Sequence, residues 1–420
     1  MTTNKNKIIN DPVYGFITIP NDLIFEVIEH PYFQRLRRIK QLGLTNLVYP
    51  GALHTRFHHA IGSMYLMQQT LHNLRAKGVE ISDHELEGSL LAILLHDIGH
   101  GPFSHTLEFN LLDSIKHEDI SLLFFQKINE QFGGALQMGL DIFSGTYERN
   151  FFHQLVSSQL DIDRLDYLKR DSYFTGVSEG SIGSERIINM INVRQDEIVV
   201  EEKGIYSIEN FLSARRLMYW QVYLHKTAVS AEEMLIQLIK RAKQLTHAQV
   251  EVIATPALKF FLEHDITNQD FNNDPRLIER FSLLDDSDIW GSMKFWSTHS
   301  DFVLSTLSKN LLDRNIFKII LDNHAPEASF VQQMKDKIQQ STGLNDEETS
   351  FFSSAGQISN AAYINSDQKI KILTKKGELV DIEIATDLPN IKAMSKIVTK
   401  HYFCWAHTAN FQKPSSHRIF

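Results

Sequence analysis

The sequence predicts a mainly α-helical protein with short β-hairpins and a small C-terminal α+β subdomain. Three observations carry this prediction. Apolar residues recur at helical spacing through most of the chain. Two segments alternate instead, each around a Lys-Gly turn. A polar stretch from Ser341 to Asn360 then separates the long helical part from a tail of mixed pattern.

The helical reading begins at His58 to Leu74, where Ile61, Met64, Tyr65, Leu71 and Leu74 form one apolar stripe. Ser82-Asp83-His84-Glu85 is a Ser-x-x-Glu capping box and opens a helix carrying Leu86, Leu90, Ile93 and Leu94. That pattern stops at Gly99 and Gly101-Pro102, which break helices. Phe152 to Arg170 reads as one helix and Ser207 to Ala242 as another. The first hairpin is predicted over Glu197 to Ser207, around Lys203-Gly204, and the second over Lys369 to Ile384, around Lys376-Gly377. His264 to Arg276 and Ser341 to Asn360 read as polar loops. The composition shift at the second loop divides the chain into residues 1–340 and 341–420.

Hydrophobic residues make up 43 % of the 420 and charged residues 22 %, which argues against wholesale disorder. A chain this long buries a large core without staples. Its one cysteine, Cys404, excludes an internal disulfide and reads as a small buried apolar residue. Lys plus Arg is 42 and Asp plus Glu 51, a net charge of −9. That balance gives no support to nucleic-acid binding, while leaving room for a local basic pocket for a small polyanion. The N-terminal lysines precede no apolar run, so no secretion signal is read there. The longest strongly apolar run, Leu90 to Leu95, is far short of a membrane span. The expected location is the cytoplasm.

Nineteen histidines are more than usual, and His54, His58, His59, His96, His100, His105 and His117 cluster. Leu90 to Leu95 delivers His96 and Asp97 to a helix end, at the head of His-Asp-Ile-Gly-His-Gly-Pro-Phe-Ser-His. Imidazole with carboxylate suits a hard-to-borderline divalent cation. His59 upstream and Asp163 downstream complete an order His … His-Asp … Asp, each member on a helix. On the residues alone, His58 competes with His59, and Asp161 and Asp166 compete with Asp163. Arg215, Tyr219 and Tyr223 are spaced four apart and share one helix face, as do Asp163, Tyr167 and Asp171. These two faces are expected to wall one pocket.

These motifs resemble the HD superfamily of metal-dependent phosphohydrolases. More closely, they resemble the deoxynucleoside triphosphate (dNTP) triphosphohydrolases, including the mammalian member that joins a sterile-alpha-motif domain to an HD domain. The match runs from about Asn10 to Ala242. It includes Phe33-Gln34-Arg35-Leu36-Arg37, Ile39 to Gly43, Tyr49-Pro50-Gly51-Ala52, Arg56-Phe57, His96 to His105, His117-Glu118, Asp161 to Asp171 and Tyr223-x-His225-Lys226.

The resemblance implies an HD-domain helical fold, with His59, His96, Asp97 and Asp163 as ligands of a divalent metal. Mn, Fe, Mg, Zn and Ni all suit such a set. It implies that Arg56, Arg164 and Arg215 contact phosphate, with Arg164 where a lysine often stands. Tyr167, Tyr219 and Tyr223 would line the nucleotide. Gln41 and Asp171 would bind the 3′-hydroxyl, and Leu42 would crowd the 2′ position. Water activated at the metal would attack the α-phosphorus, with His105 protonating the leaving 5′-oxygen. His100, His117 and Glu118 would orient nucleophile and phosphate. The products would be a deoxynucleoside and inorganic triphosphate, with dGTP the expected preference. Leu224 and Tyr219 depart from the mammalian pattern at base-contacting positions. Gln34, Arg37, Val48, Tyr49, His225 and Lys226 match positions that hold an activating dNTP or GTP between chains, which implies a homo-oligomer, a dimer or tetramer. Competing readings are an HD phosphodiesterase for cyclic nucleotides or alarmones, and a silent sensor of nucleotides or nucleic acid.

Overall fold

A computed structural model gives the fold and describes residues 7–112, 115–360, 369–387 and 396–411, without the side chains of residues 105, 109, 409 and 410. It is mainly helical, with three small sheets. The helix Arg56–Ala76 packs against Asp83–Leu95 and against Ile162–Thr175. This trio is the frame of the site. Asp83–Leu95 starts at the predicted capping box: Ser82 Oγ accepts from the Glu85 amide at 3.2 Å, and the Glu85 carboxylate accepts from the Ser82 amide at 2.7 Å. Leu90 to Leu95 are all buried, because the helix Gln137–Ser144 covers their other side. The two helices touch at glycines. A Cβ on Gly139 would meet the Gly88 carbonyl at 3.0 Å.

Four expectations change. Phe152 to Arg170 is two helices, Asn150–Val156 and Ile162–Thr175. The carboxylate of Asp161 accepts from the amides of Ser158 (2.9 Å) and Arg164 (2.8 Å), so it ends one turn and caps the next helix. Ser207 to Ala242 is likewise broken, into Ile205–Met218, a π-helical turn Tyr219–Tyr223, and Lys226–His247. The His225 ring caps the last of these by accepting from the Thr227 amide at 3.2 Å. The first hairpin pairs Ile191–Arg194 with Glu197–Glu201 and turns at Gln195-Asp196, both left-handed. Lys203-Gly204 instead lies in the 3₁₀ turn that enters the following helix. A primed two-residue turn usually advertises itself with glycine, and this one has none. The polar loops also hold structure: Asn268–Asn273 and Asp346–Ser350 are short helices opened by capping boxes at Thr267 and Asn345, and Ser353–Asn360 is a strand.

The second hairpin forms as expected, Lys371–Leu373 against Leu379–Asp381 around Gly377. Lys371–Leu373 also runs parallel to Glu197–Glu201, giving a four-stranded sheet. A three-stranded sheet places Val398–Trp405 between Lys318–Asp322 and Ser353–Asn360. Both sheets therefore join strands from either side of residue 341. Among the described residues, no helix is long and apolar enough to cross a membrane.

Cys404 lies fully buried in the central strand of that sheet. Burial, and then the Glu233 carboxylate, push its thiol up to about 12. Native protein at pH 8 should therefore resist a thiol-specific disulfide reagent for as long as it stays folded, and should react with one equivalent in guanidinium chloride. Stoichiometric labelling of native protein would contradict this packing.

Candidate active site

Three helix segments bring His59, His96 and Asp163 within reach of one ion, with Asp97 beside them. His59 sits in the second turn of Arg56–Ala76, His96 ends Asp83–Leu95 with Asp97 just beyond, and Asp163 opens Ile162–Thr175. His59 Nε2 lies 3.0 Å from Asp163 Oδ1, 3.4 Å from His96 Nε2 and 3.8 Å from Asp97 Oδ2. His96 Nε2 lies 3.4 Å from both Asp163 Oδ1 and Asp97 Oδ1. Metal–ligand bonds of roughly 2.0–2.2 Å put neighbouring donors at about these separations.

The outer nitrogens of both histidines are occupied. His96 Nδ1 donates to the Ile93 carbonyl at 2.7 Å, and His59 Nδ1 donates to Asp166 Oδ2 at 2.7 Å. Both Nε2 atoms are thereby the ones that could ligate a metal. Asp166 is held in turn by Arg170, whose Nε and Nη2 donate to its two oxygens at 2.9 and 3.0 Å. Arg170 Nη1 donates to Asp11 Oδ2 at 2.7 Å. Gly62 makes room for this pair: a Cβ there would sit 2.0 Å from Arg170 Nη2 and 2.2 Å from Asp166 Oδ1.

Charge supports the same reading. The hydrogen-bonded network holds four carboxylates (Asp11, Asp97, Asp163, Asp166) and two guanidiniums (Arg56, Arg170). Neutral histidines would leave two negative charges in excess, which one divalent cation balances. Burial opposes charge on His59, yet hydrogen bonds to Asp163 and Asp166 outweigh it and hold the pKa up at about 10. Asp97 is also buried, but His96 and Arg56 keep it well below the usual carboxylate range. Arg56 pairs with Asp97 through Nη1 and donates from Nε to Ser104 Oγ at 2.9 Å. His58 takes no part: its Nδ1 accepts from the Thr55 amide at 3.1 Å.

Beside this centre, His100 and His117 stack with ring centroids 3.8 Å apart. His100 Nε2 is 3.4 Å from Asp97 Oδ1. Burial, and then Arg56, hold His100 well below the ordinary imidazole range, so the ring is neutral. His117 Nδ1 lies 2.8 Å from Glu108 Oε1 and 3.4 Å from Glu118 Oε2. Glu108 makes the shorter contact and went unnoticed in the sequence, since nothing marks a carboxylate nine residues before its partner. The side chain of His105 lies outside the described residues.

The two tyrosine-bearing faces do meet. Tyr223 Oη donates to Asp171 Oδ2 at 2.7 Å, and the Tyr167 and Tyr223 rings contact edge to face at 6.0 Å, as Tyr219 and Tyr223 do at 5.1 Å. Burial, and then Asp171, raise the Tyr223 pKa, so it remains a phenol. Asp171 also accepts from His54 Nε2 at 2.7 Å. His54 is stacked on Phe174 and braces Asp171, a role its place in the histidine cluster did not disclose. The Gln41 amide donates to the His54 carbonyl at 3.0 Å, which brings Gln41 and Leu42 to the same end. Arg164 pairs with Asp161, and Arg215 Nη1 donates to Gln159 at 3.3 Å. Four buried atoms of this set have no partner among the described residues: Arg164 Nε, Arg215 Nε, Gln41 Oε1 and His54 Nδ1.

The six positions expected at an effector site fall into two groups. Gln34 Oε1 accepts from Arg37 Nε at 2.8 Å, and Arg37 stacks over Phe57 at 3.5 Å. Tyr49 meets His225 edge to face at 6.0 Å, with Val48 and Lys226 as their chain neighbours.

Replacing Asp166 with Asn should keep the shape while weakening its hold on His59. Affinity for a divalent metal, read by titration with Mn²⁺ and by bound-metal analysis, should fall about 10- to 100-fold. Unchanged affinity would remove Asp166 from the site.

The HD domain matches residues 56–171, and the HD associated region matches 182–255. The first span runs from Arg56 to Asp171 and holds all four donors. A phosphohydrolase from Bacteroides thetaiotaomicron of solved structure is 50 % identical, with a TM-score of 0.93 over 96 % of this chain and 100 % of that one. The uncharacterized protein YwfO of Bacillus subtilis is 36 % identical over 335 residues, 78 % of this chain and 74 % of its own. A deoxynucleoside triphosphate triphosphohydrolase SAMHD1 homolog of Dictyostelium discoideum is 29 % identical over 336 residues, 75 % of this chain. The chain spans 60 % of that relative's length. By a match that covers the whole of a solved phosphohydrolase, the chain belongs to the HD-domain phosphohydrolase family, with the dNTP triphosphohydrolases among its relatives.

Proposed function

We propose that the protein hydrolyses dNTPs to a deoxynucleoside and inorganic triphosphate, using a divalent metal at His59, His96, Asp97 and Asp163. One observation supports this above the rest. Two buried guanidinium nitrogens, Arg164 Nε and Arg215 Nε, and the buried Gln41 Oε1 have no partner among the described residues. Buried polar atoms are ordinarily hydrogen-bonded. Two cationic donors and one amide acceptor are what a polyphosphate and a sugar hydroxyl would satisfy. Arg164 directly follows Asp163 in the chain, so one of these guanidiniums borders the candidate metal donors.

When bound, a divalent ion would polarise a phosphoryl oxygen and make water more acidic. The chain's own residues do the rest. Arg164 and Arg215 hold phosphate oxygens. Arg56, fixed between Asp97 and Ser104, faces the same charge. Gln41 and the Asp171 carboxylate, aligned by His54 and Tyr223, take the 3′-hydroxyl. Leu42 fills the space a 2′-hydroxyl would need, without offering it a partner. His100 and His117, stacked and backed by Glu108 and Glu118, orient the nucleophile. His105 gives its proton to the leaving 5′-oxygen. We further propose that a dNTP or GTP effector binds at Gln34, Arg37, Val48, Tyr49, His225 and Lys226 between chains of a homo-dimer or tetramer, that dGTP is the preferred substrate, and that the protein works in the cytoplasm.

Product analysis by chromatography tests the reaction. Metal-loaded protein given each dNTP singly and in pairs should release deoxynucleoside and triphosphate, and Asp97→Ala should abolish release. Activity only in pairs would identify the effector. No release from any triphosphate would overturn the reading and favour cyclic or alarmone substrates. Leu42→Ala should raise relative turnover of ribonucleotides about tenfold, the scale of a lost apolar contact. An unchanged ratio would remove Leu42 from the sugar pocket.

A further inference from the structure

Asp286 lies outside both matched family regions, at the start of the helix Asp286–Trp296, yet it touches both loops that build the site. Its Oδ2 accepts from the Lys40 amide at 2.9 Å, and its Oδ1 accepts from the Phe103 amide at 2.9 Å. Lys40 immediately precedes Gln41 and Leu42. Phe103 stands between His100 and His105. The side chain is 4 % exposed, so these amides would otherwise be buried donors without partners. One carboxylate with an oxygen on each loop fixes the loops relative to one another.

Four further features concentrate on the same junction. Phe103 and Ser104 are both left-handed, with φ of 54° and 49°. Two successive non-glycine residues hold that conformation only where their surroundings over-determine it. Gly43, with φ of 48°, lies against the Phe103 carbonyl, where a Cβ would come within 3.7 Å. Trp290, one turn along the Asp286 helix, contacts the Phe103 ring at 5.8 Å and lies under Lys40 Nζ at 5.8 Å. Fully buried Arg35 completes the clamp from the other side, donating to the carbonyls of Leu284 (2.8 Å), Ile98 (3.2 Å) and His100 (2.6 Å).

We infer that Asp286 is a positioning residue that sets the distance between the Gln41–Leu42 loop and the His100–His105 loop, and thereby the pocket's discrimination of deoxyribose from ribose. This rests on the proposed role of Leu42 against the sugar. Asp286 touches no substrate. It acts by holding Leu42 where a 2′-hydroxyl has no room. A shift of a fraction of an ångström between the loops would open that space.

The test compares Asp286→Ala and Asp286→Asn with Asp288→Ala. Asn keeps one acceptor oxygen of the two. Asp288 caps the same helix through the Asp285 amide at 2.7 Å and touches neither loop. The first readout is the ratio of kcat/KM for a dNTP over the matching ribonucleotide, which does not depend on the fraction of folded enzyme. The second is hydrogen exchange in peptides covering residues 40–43 and 101–104. The ratio should fall about tenfold in Asp286→Ala, by less in Asp286→Asn, and stay at the wild-type value in Asp288→Ala, with faster exchange in both loops for the Asp286 variants alone. Should Asp286→Ala fail to fold, Asp286→Asn carries the comparison. A constant ratio despite lower activity overturns the inference, as does a lowered ratio with unchanged exchange. If the wild-type protein hydrolyses no triphosphate, it is the proposed function that fails. The exchange data then decide alone whether Asp286 holds the loops, and unchanged exchange overturns it.

Discussion

The site depends on one buried line of charge, Asp11 to Arg170 to Asp166 to His59. All four side chains are at most 3 % exposed. Ions so placed are costly to desolvate, and each is tolerable only because the next one neutralises it. The line starts on the N-terminal strand Ile8–Asp11, crosses the helix Ile162–Thr175, and ends on the helix Arg56–Ala76. It therefore ties the strand Ile8–Asp11 to the candidate metal donor His59, 48 residues after Asp11, and aims its ring. At Gly62 the helix passes so close to the ion pair that any side chain would collide with it.

Much of this was legible in the sequence, because its signals are local. The Ser82 capping box, the apolar run Leu90 to Leu95 and the breakers after it place His96 and Asp97 at a helix end with no tertiary knowledge. The spacing of Tyr167 and Asp171, and of Tyr219 and Tyr223, places each pair on its face. What was not legible is side-chain pairing across distance. Nothing in the sequence assigns Asp166 to His59 rather than to the ion, or marks Asp11, Glu108, His54 and Asp286 as supports. The helix boundaries failed for a related reason. Asp161 and His225 cap helices with their side chains, and such caps interrupt an apolar period that continues on either side of them.

The arginines illustrate how fold and chemistry share residue types. Arg170 and Arg35 each donate from all three guanidinium nitrogens to the protein itself, and fix helices and loops. Arg164 and Arg215 each keep a buried nitrogen without a partner. Burial alone does not separate the two uses. The accounting of donors does, and it separates scaffold from pocket without reference to any relative.

The parallel pairing of Glu197–Glu201 with Lys371–Leu373 has a consequence for biosynthesis. A ribosome adding about 5–20 residues per second needs on the order of 10–30 s to pass from one strand to the other. Throughout that interval Glu197–Glu201, with buried Val199 and Val200, presents an unpaired edge beside a completed hairpin. Exposed apolar edges recruit other strands. The nascent chain thus passes through a period in which its candidate metal site is fully synthesised while one sheet still awaits its last partners, and that period is when a chaperone would find most to hold.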